Sequence, residues 1–104
     1  MIPIKLKKGV KLASLKPQTV LALMVALPIY EKLGAKEFVV TSCNDSKHSA
    51  KSKHYTGEAL DCRVWVLPEQ HREVAAQLIA EALGAEYDVV FEGDHIHIEY
   101  DPKG

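Results

Sequence analysis

The amino-acid sequence predicts an α+β domain with a largely antiparallel sheet and two main helices on one face. Two observations lead to this fold class. Helical and strand-like segments follow one another in the order β-α-β-loop-β-α-β-β. Two of the strand-like segments alternate apolar and ionisable residues, as expected when one face of a sheet packs against helices. The 104 residues suffice for one modest core, so we expect a single domain over residues 1–104.

The first half of the chain is predicted to contain one main helix and one clear strand. Residues 1–16 are basic and irregular, with room for one short strand. The helix is predicted over residues 17–33, because Pro17 suits a first helical turn and Gly34 suits a helix end. A strand follows over residues 37–42, since its centre is β-branched and aromatic.

The second half is predicted to contain a polar loop, a strand, a helix and a hairpin. The helix is indicated by apolar residues at helical spacing, and the hairpin by a Gly-Asp turn between two apolar-alternating segments. The predicted segments are a loop over residues 43–53, a strand over 60–66, a helix from Pro68 to Gly84, and strands over 87–92 and 95–100.

The composition disfavours some classes of function. The formal net charge is −1, so we expect no global attraction to nucleic acid. Two cysteines, Cys43 and Cys62, are too few for a disulfide framework and lack the spacing of a thiolate zinc site. We expect free, partly buried thiols. A disulfide between them is the alternative, because the sequence alone does not give the distance between the two residues.

The N-terminal segment shares features with a signal peptide, because lysines precede an apolar run over residues 20–29. The run continues into a helix end at Gly34, and it is too short to span a bilayer. We therefore interpret it as a buried helix and expect neither a transmembrane segment nor an export signal.

Strand periodicity separates an apolar face from a face with ionisable groups. The second face carries Asp61, Arg63 and Trp65 in the strand over 60–66, and His95, His97 and Glu99 in the strand over 95–100. If these strands are neighbours, Asp61, His95 and His97 converge on one side of the sheet. Two histidines spaced two apart, with an aspartate on another strand, are a pattern typical of metal binding.

His54 adds another imidazole close to Asp61 in the sequence. Two imidazoles and one carboxylate are a sufficient protein set for a catalytic zinc, with the fourth position left for water. A spare carboxylate beside them could take the proton of that water. This set of residues points to hydrolysis.

Two segments carry a resemblance to a known family: Ser52-x-His54-x-x-Gly57-x-Ala59-x-Asp61 and Asp94-His95-x-His97. They resemble the two signature motifs of the zinc D-alanyl-D-alanine carboxypeptidase family. That family includes phage endolysins that cut peptidoglycan peptides, and it shares a fold with the hedgehog signalling domain. The resemblance covers about residues 37–101, and it implies a zinc site on the sheet face away from the helices.

The resemblance also implies a role for each matched residue. His54, Asp61 and His97 would bind Zn²⁺. Asp94 would be the general base and acid, taking a proton from the metal-bound water and delivering it to the leaving amine. His95 would lie beside the metal, where it could hold the oxyanion or orient Asp94.

The residues that contact substrate are less well defined by the motifs. Family members often carry an arginine ahead of the first motif, but residues 41–53 contain none, so Arg63 or a lysine could supply a point charge instead. Ser52 is expected to brace the loop. His48 lies at the spacing found in the hedgehog branch and is either part of the site or a solvated loop residue. Glu92 is a second candidate for the base.

The expected function is hydrolysis of peptidoglycan stem or cross-link peptides, by a carboxypeptidase or by an endolysin-type endopeptidase. We expect a monomer that is made in the cytoplasm and reaches the cell wall during phage lysis or from a virion. One alternative is a non-catalytic, hedgehog-like zinc-binding module. A second alternative is a metal-dependent nuclease or phosphatase. The near-neutral net charge and the lack of a phosphate-binding glycine loop disfavour it.

Overall fold

A computed structural model describes residues 1–12, 15–43 and 58–102 of the chain. Within these ranges the order of helices and strands is the predicted one. The elements are β1 (Ile4–Leu6), α1 (Pro17–Lys32), β2 (Phe38–Ser42), β3 (Ala59–Arg63), a short 3₁₀ turn (Glu69–His71), α2 (Arg72–Leu83), β4 (Tyr87–Phe91) and β5 (His95–Tyr100).

The five strands form one sheet in the order β1-β2-β3-β5-β4. Strand β1 pairs with β2 in parallel, and α1 is the connection between them. The β2–β3, β3–β5 and β5–β4 pairs are all antiparallel. The prediction of an α+β domain with a largely antiparallel sheet and two helices is therefore confirmed.

Both helices contribute to one hydrophobic core on one face of the sheet. Tyr30 of α1 and Phe38 of β2 are both fully buried, and their rings meet edge to face with centroids 4.7 Å apart. The core also contains α1 residues Ala22, Leu23, Ala26 and Leu27, α2 residues Ala75 and Ile79, and strand residues Val40, Leu60, Cys62, Ile96 and Ile98. In β3 and β5 the residues that enter this core are every second one, as strand periodicity predicts.

Two boundaries differ from the predicted ones. Strand β3 ends at Arg63 because the chain turns over residues 64–67, where the Leu67 N–H donates to the Val64 carbonyl at 2.9 Å. The segment after Pro68 begins as a 3₁₀ turn, and regular α-helix starts only at Arg72. Gly34, the predicted helix end, has a positive φ of +104° just after α1.

Both cysteines are buried thiols outside any disulfide, as expected. Burial raises the pKa of the Cys62 thiol to about 12, which makes it a packing residue rather than a nucleophile. Among the residues described, no helix is both long and apolar enough to cross a bilayer.

Candidate metal and catalytic site

The β3–β5 ladder brings the predicted ionisable residues together. Asp61 lies directly opposite His97 in the register, and Arg63 lies directly opposite His95. Their neighbours Cys62 and Ile96 are fully buried in the core on the other face. Asp61, Arg63, His95 and His97 therefore share one face with Glu99, which we call the polar face of the sheet.

His97 lies between two carboxylates. Its Nδ1 atom is 2.8 Å from Asp61 Oδ1, and its Nε2 atom is 3.1 Å from Glu99 Oε1. The hydrogen bond with Asp61 is the largest cause that raises the pKa of His97 to about 9, and Glu99 adds to it. At neutral pH the imidazole therefore carries both protons and donates one to each carboxylate in the metal-free protein.

His95 lies among three carboxylates at the other end of the polar face. Its Nδ1 atom is 2.7 Å from Asp94 Oδ1, its Nε2 atom is 3.8 Å from Asp61 Oδ2, and the same Nε2 is 4.0 Å from Glu92 Oε1. The hydrogen bond from His95 lowers the pKa of Asp94, so this exposed carboxyl group is ionised at neutral pH.

The β4–β5 hairpin positions these catalytic candidates. Gly93 has a φ of +93°, which a tight two-residue turn requires at this point, and the Glu92 N–H donates to the His95 carbonyl at 2.9 Å. Because the Asp94 carbonyl also accepts the Val64 N–H, the turn is held against the end of β3. The backbone thus fixes Asp94 next to the strand that carries Asp61.

Five of the eight predicted site residues are described by the structure, and three are not. Asp61, Arg63, Asp94, His95 and His97 lie on the polar face or at its end, as given above. His48, Ser52 and His54 fall within 44–57, outside the described residues, so their roles remain predictions. Arg63 has its guanidinium carbon 5.3 Å from the centroid of the Trp65 ring, a distance typical of a cation–π contact.

An acidic group that sequence reasoning missed adjoins His97. Oxygen atoms of Asp88, Glu99 and Asp101 lie within 4.8 Å of one another, and this group could hold a metal ion. Over residues 1–12, 15–43 and 58–102, no other group of three or more His, Cys, Asp or Glu side chains brings its potential ligand atoms this close together. Two features of the hairpin indicate this group. The β4–β5 register pairs Asp88 with Glu99, and the alternation of side chains along β5 puts Glu99 on the same face as His97.

The chemistry of the Asp61–His97 pair suits zinc. A carboxylate oxygen and an imidazole nitrogen are both common zinc ligands, and here they approach each other across neighbouring strands. The acidic group offers oxygen atoms alone, which suits a hard cation such as Ca²⁺ or Mg²⁺ better. No protein-family model and no curated protein matches the chain.

Proposed function

We propose that this protein is a zinc-dependent peptidase that hydrolyses the peptides of peptidoglycan. One observation carries the proposal: the Asp61–His97 pair, 2.8 Å apart, stands beside the Asp94–His95 couple, 2.7 Å apart, on one face of the sheet. The first pair has the chemistry of metal ligands, and the second has the chemistry of proton transfer. The substrate class comes from the resemblance of the two motifs.

In this proposal His54, Asp61 and His97 hold the zinc ion. Zinc bound there would polarise the scissile carbonyl and lower the pKa of the attacking water. A histidine ligand must be neutral at the nitrogen that binds the metal, so His97 has to give up one of its protons. The Glu99 carboxylate, 3.1 Å from Nε2, can keep the other proton in place.

Asp94 is the general base and acid. Its carboxylate is ionised at neutral pH and two-thirds exposed, at 66%, so a water molecule and a substrate amine can both reach it. It takes a proton from the attacking water and returns that proton to the nitrogen of the leaving amine. Glu92 is the reserve candidate, with its Oε1 atom 4.0 Å from His95.

His95 has two tasks in the same step. Its Nδ1–H donates to Asp94 and orients the carboxylate. In the protonated form, its Nε2–H can donate to the carbonyl oxygen as negative charge develops there. Arg63, held against Trp65, offers a positive charge to a substrate carboxylate, and His48 and Ser52 are the further proposed substrate contacts.

The proposal extends to the assembly, the substrate and the location of the protein. The protein acts as a monomer on a peptide substrate and not on nucleic acid. It is made in the cytoplasm and reaches the cell wall through phage lysis or as part of a virion.

The test combines zinc content with digestion of purified peptidoglycan, read by mass spectrometry of the new peptide termini. Wild-type protein is expected to contain zinc and to release peptides. Asp94→Asn should keep the zinc and lose about 10²- to 10⁴-fold in rate, the range for loss of a general base. His97→Ala should lose both zinc and activity, and Asp101→Asn serves as a control on the same face of the molecule.

Asp94→Asn with full zinc and full activity would contradict the assigned mechanism. A wild-type protein that binds zinc and unfolds on chelation, yet cleaves no peptidoglycan fragment, would instead favour the non-catalytic zinc-binding module. Cleavage of DNA in the presence of metal would favour the nuclease alternative. The new termini also distinguish a carboxypeptidase, which releases a single terminal residue, from an endopeptidase.

A further inference from the structure

Helix α1 exposes an apolar stripe to solvent. Val20, Leu21 and Met24 are 45%, 56% and 49% exposed, and the exposed prolines Pro17 and Pro28 extend the same side of the helix. No charged residue occurs between the first and last turns of α1. A surface helix normally carries charged residues on its solvent side, so this stripe is unusual.

A shallow groove continues the stripe at its C-terminal end. Its volume is about 210 Å³, and it is lined by Met1, Met24, Leu27, Pro28 and Glu31. The one acidic side chain there, Glu31, accepts a hydrogen bond from the Ile2 N–H at 3.1 Å. The apolar surface therefore runs along α1 with its single carboxylate at the far end.

The opposite end of the stripe is basic. Residues 1–30 contain five lysines and no acidic residue, whereas residues 31–104 contain eight basic and fourteen acidic residues, a formal charge of −6. All five lysines are exposed: Lys5, Lys7, Lys8, Lys11 and Lys16. Lys5 is paired with Glu37 at 2.9 Å.

The topology puts most of these lysines at the start of α1. Because β1 and β2 are parallel and joined by α1, the helix runs back along the sheet, and the segment between β1 and α1 lies at the N-terminal end of the helix. Lys16 is the N-cap residue, and its carbonyl accepts the Val20 N–H at 3.1 Å. The first turn contains no acidic residue, so the helix dipole adds to the positive charge.

We propose that the apolar stripe and the lysines beside it dock on the surface of an anionic lipid bilayer. The apolar side chains of α1 would enter the boundary between headgroups and acyl chains, while the lysines contact lipid phosphates. A second copy of this chain is the alternative occupant of the stripe, and the test below distinguishes it from a bilayer.

This docking orients the polar face. The helices cover one side of the sheet, and Asp61 and His97 lie on the other. A protein bound to the bilayer through α1 therefore directs its candidate site away from the membrane. The docking does not depend on the proposed peptidase activity, because different residues on a different face carry it.

The test is co-sedimentation of the full chain with vesicles of phosphatidylcholine alone or mixed with phosphatidylglycerol. Val20→Glu and Val90→Glu form a matched pair, because the two valines are 45% and 46% exposed and each change adds one negative charge. Val90 lies opposite His97 in the β4–β5 ladder, on the side of the sheet away from α1. No peptidoglycan is present, so failure of the peptidase proposal cannot affect the result.

We expect wild-type protein to bind the anionic vesicles about tenfold or more tightly than phosphatidylcholine alone. Val20→Glu should weaken that binding by about tenfold, while Val90→Glu should stay within about twofold of wild type. Circular dichroism establishes that both variants are folded. Equal binding to the two kinds of vesicle, or an equal loss in both variants, would overturn the proposal. So would a lipid-free dimer in sedimentation velocity that Val20→Glu dissociates, because α1 would then be a subunit interface.

Discussion

His97 lies directly opposite Asp61 in the β3–β5 ladder, with its Nδ1 atom 2.8 Å from Asp61 Oδ1. The two residues are far apart in the sequence, and the ladder hydrogen bonds of two strands next to each other in the sheet fix their distance. Functional groups on strands are held more rigidly than groups on loops. The pair is therefore the part of the candidate site whose chemistry can be tested most directly.

The first prediction concerns metal binding by this pair. Asp61→Asn keeps the size of the side chain but removes the negative charge that a zinc ligand provides. We expect its zinc affinity to fall by at least about 100-fold, since loss of even an outer partner of a ligand costs 10- to 100-fold. Isothermal titration calorimetry with Zn²⁺ measures the change.

Asp88→Asn is the matched control, because it makes the same substitution in the acidic group formed with Glu99 and Asp101. We expect it to leave zinc affinity nearly unchanged. If Asp88→Asn loses zinc and Asp61→Asn retains it, the acidic group is the zinc site and the proposed ligand set is wrong. A separate titration with Ca²⁺ tests whether the acidic group binds a hard cation.

The second prediction concerns the pH dependence of stability in the metal-free protein. The pKa of His97 rises from its ordinary 6.5 to about 9, chiefly through its hydrogen bond with Asp61. A raised pKa means that the folded state holds this proton more tightly than the unfolded state. The stabilisation is therefore complete below about pH 6.5 and is lost as pH rises through about 9, by on the order of 1–3 kcal/mol.

Urea unfolding across this pH range in the presence of a chelator measures the effect. His97→Gln should remove the pH-dependent part, and Asp61→Asn should reduce it, because Asp61 is the main cause of the shift. A wild-type free energy of unfolding that is flat or rises between these pH values would show that His97 holds no extra proton in the folded protein.

Local pattern predicted most of the fold. Two kinds of prediction depend on neighbouring residues alone: that helices end at Gly34 and Gly84, and that side chains alternate between faces in β3 and β5. Both are confirmed. The parallel pairing of β1 with β2 was not predicted, because three exposed residues carry no periodic signal. The early end of β3 was also missed, because the apolar alternation continues through Val64 and Val66 into the turn that the Leu67 N–H closes on the Val64 carbonyl.

The site was predictable where it depended only on the alternation of side chains along a strand. This alternation put Asp61 and His97 on one face, and the pairing of β3 with β5 brought them together. Two features of Glu99 were missed: its contact with His97, and its grouping with Asp88 and Asp101. In a sequence, a carboxylate on a strand looks like an ordinary surface residue. Only the pairing of β4 with β5 distinguishes these carboxylates from ordinary surface residues.

The third prediction concerns the buried hydroxyl group of Tyr30. This hydroxyl donates to the Arg63 carbonyl at 3.0 Å and lies 3.4 Å from Cys62 Sγ, so it ties α1 to the end of β3. Tyr30→Phe removes this donor from the partly buried Arg63 carbonyl. We expect a loss of about 1–2 kcal/mol in the free energy of unfolding, measured by urea denaturation.

Tyr87→Phe is the control for this substitution. The Tyr87 hydroxyl also donates to a backbone carbonyl, that of Gln18 at 2.7 Å, but this bond is exposed and water can replace the partner. We expect a loss below about 0.5 kcal/mol. Equal losses in the two variants would mean that burial of the Tyr30 hydroxyl contributes nothing to stability.

The last prediction assigns Glu99 a positioning role toward His97. Its carboxylate is 3.1 Å from His97 Nε2, and such an outer hydrogen bond fixes the ring of a metal-binding histidine. Glu99→Ala should lower zinc affinity by about tenfold or more. Glu99→Gln should restore most of it, because the amide oxygen can still accept the Nε2–H. Asp101→Ala, which removes a carboxylate from the same acidic group without touching His97, should have little effect. If Asp101→Ala weakens zinc binding as much as Glu99→Ala does, and Glu99→Gln restores nothing, then Glu99 binds the metal as part of the acidic group and does not orient His97.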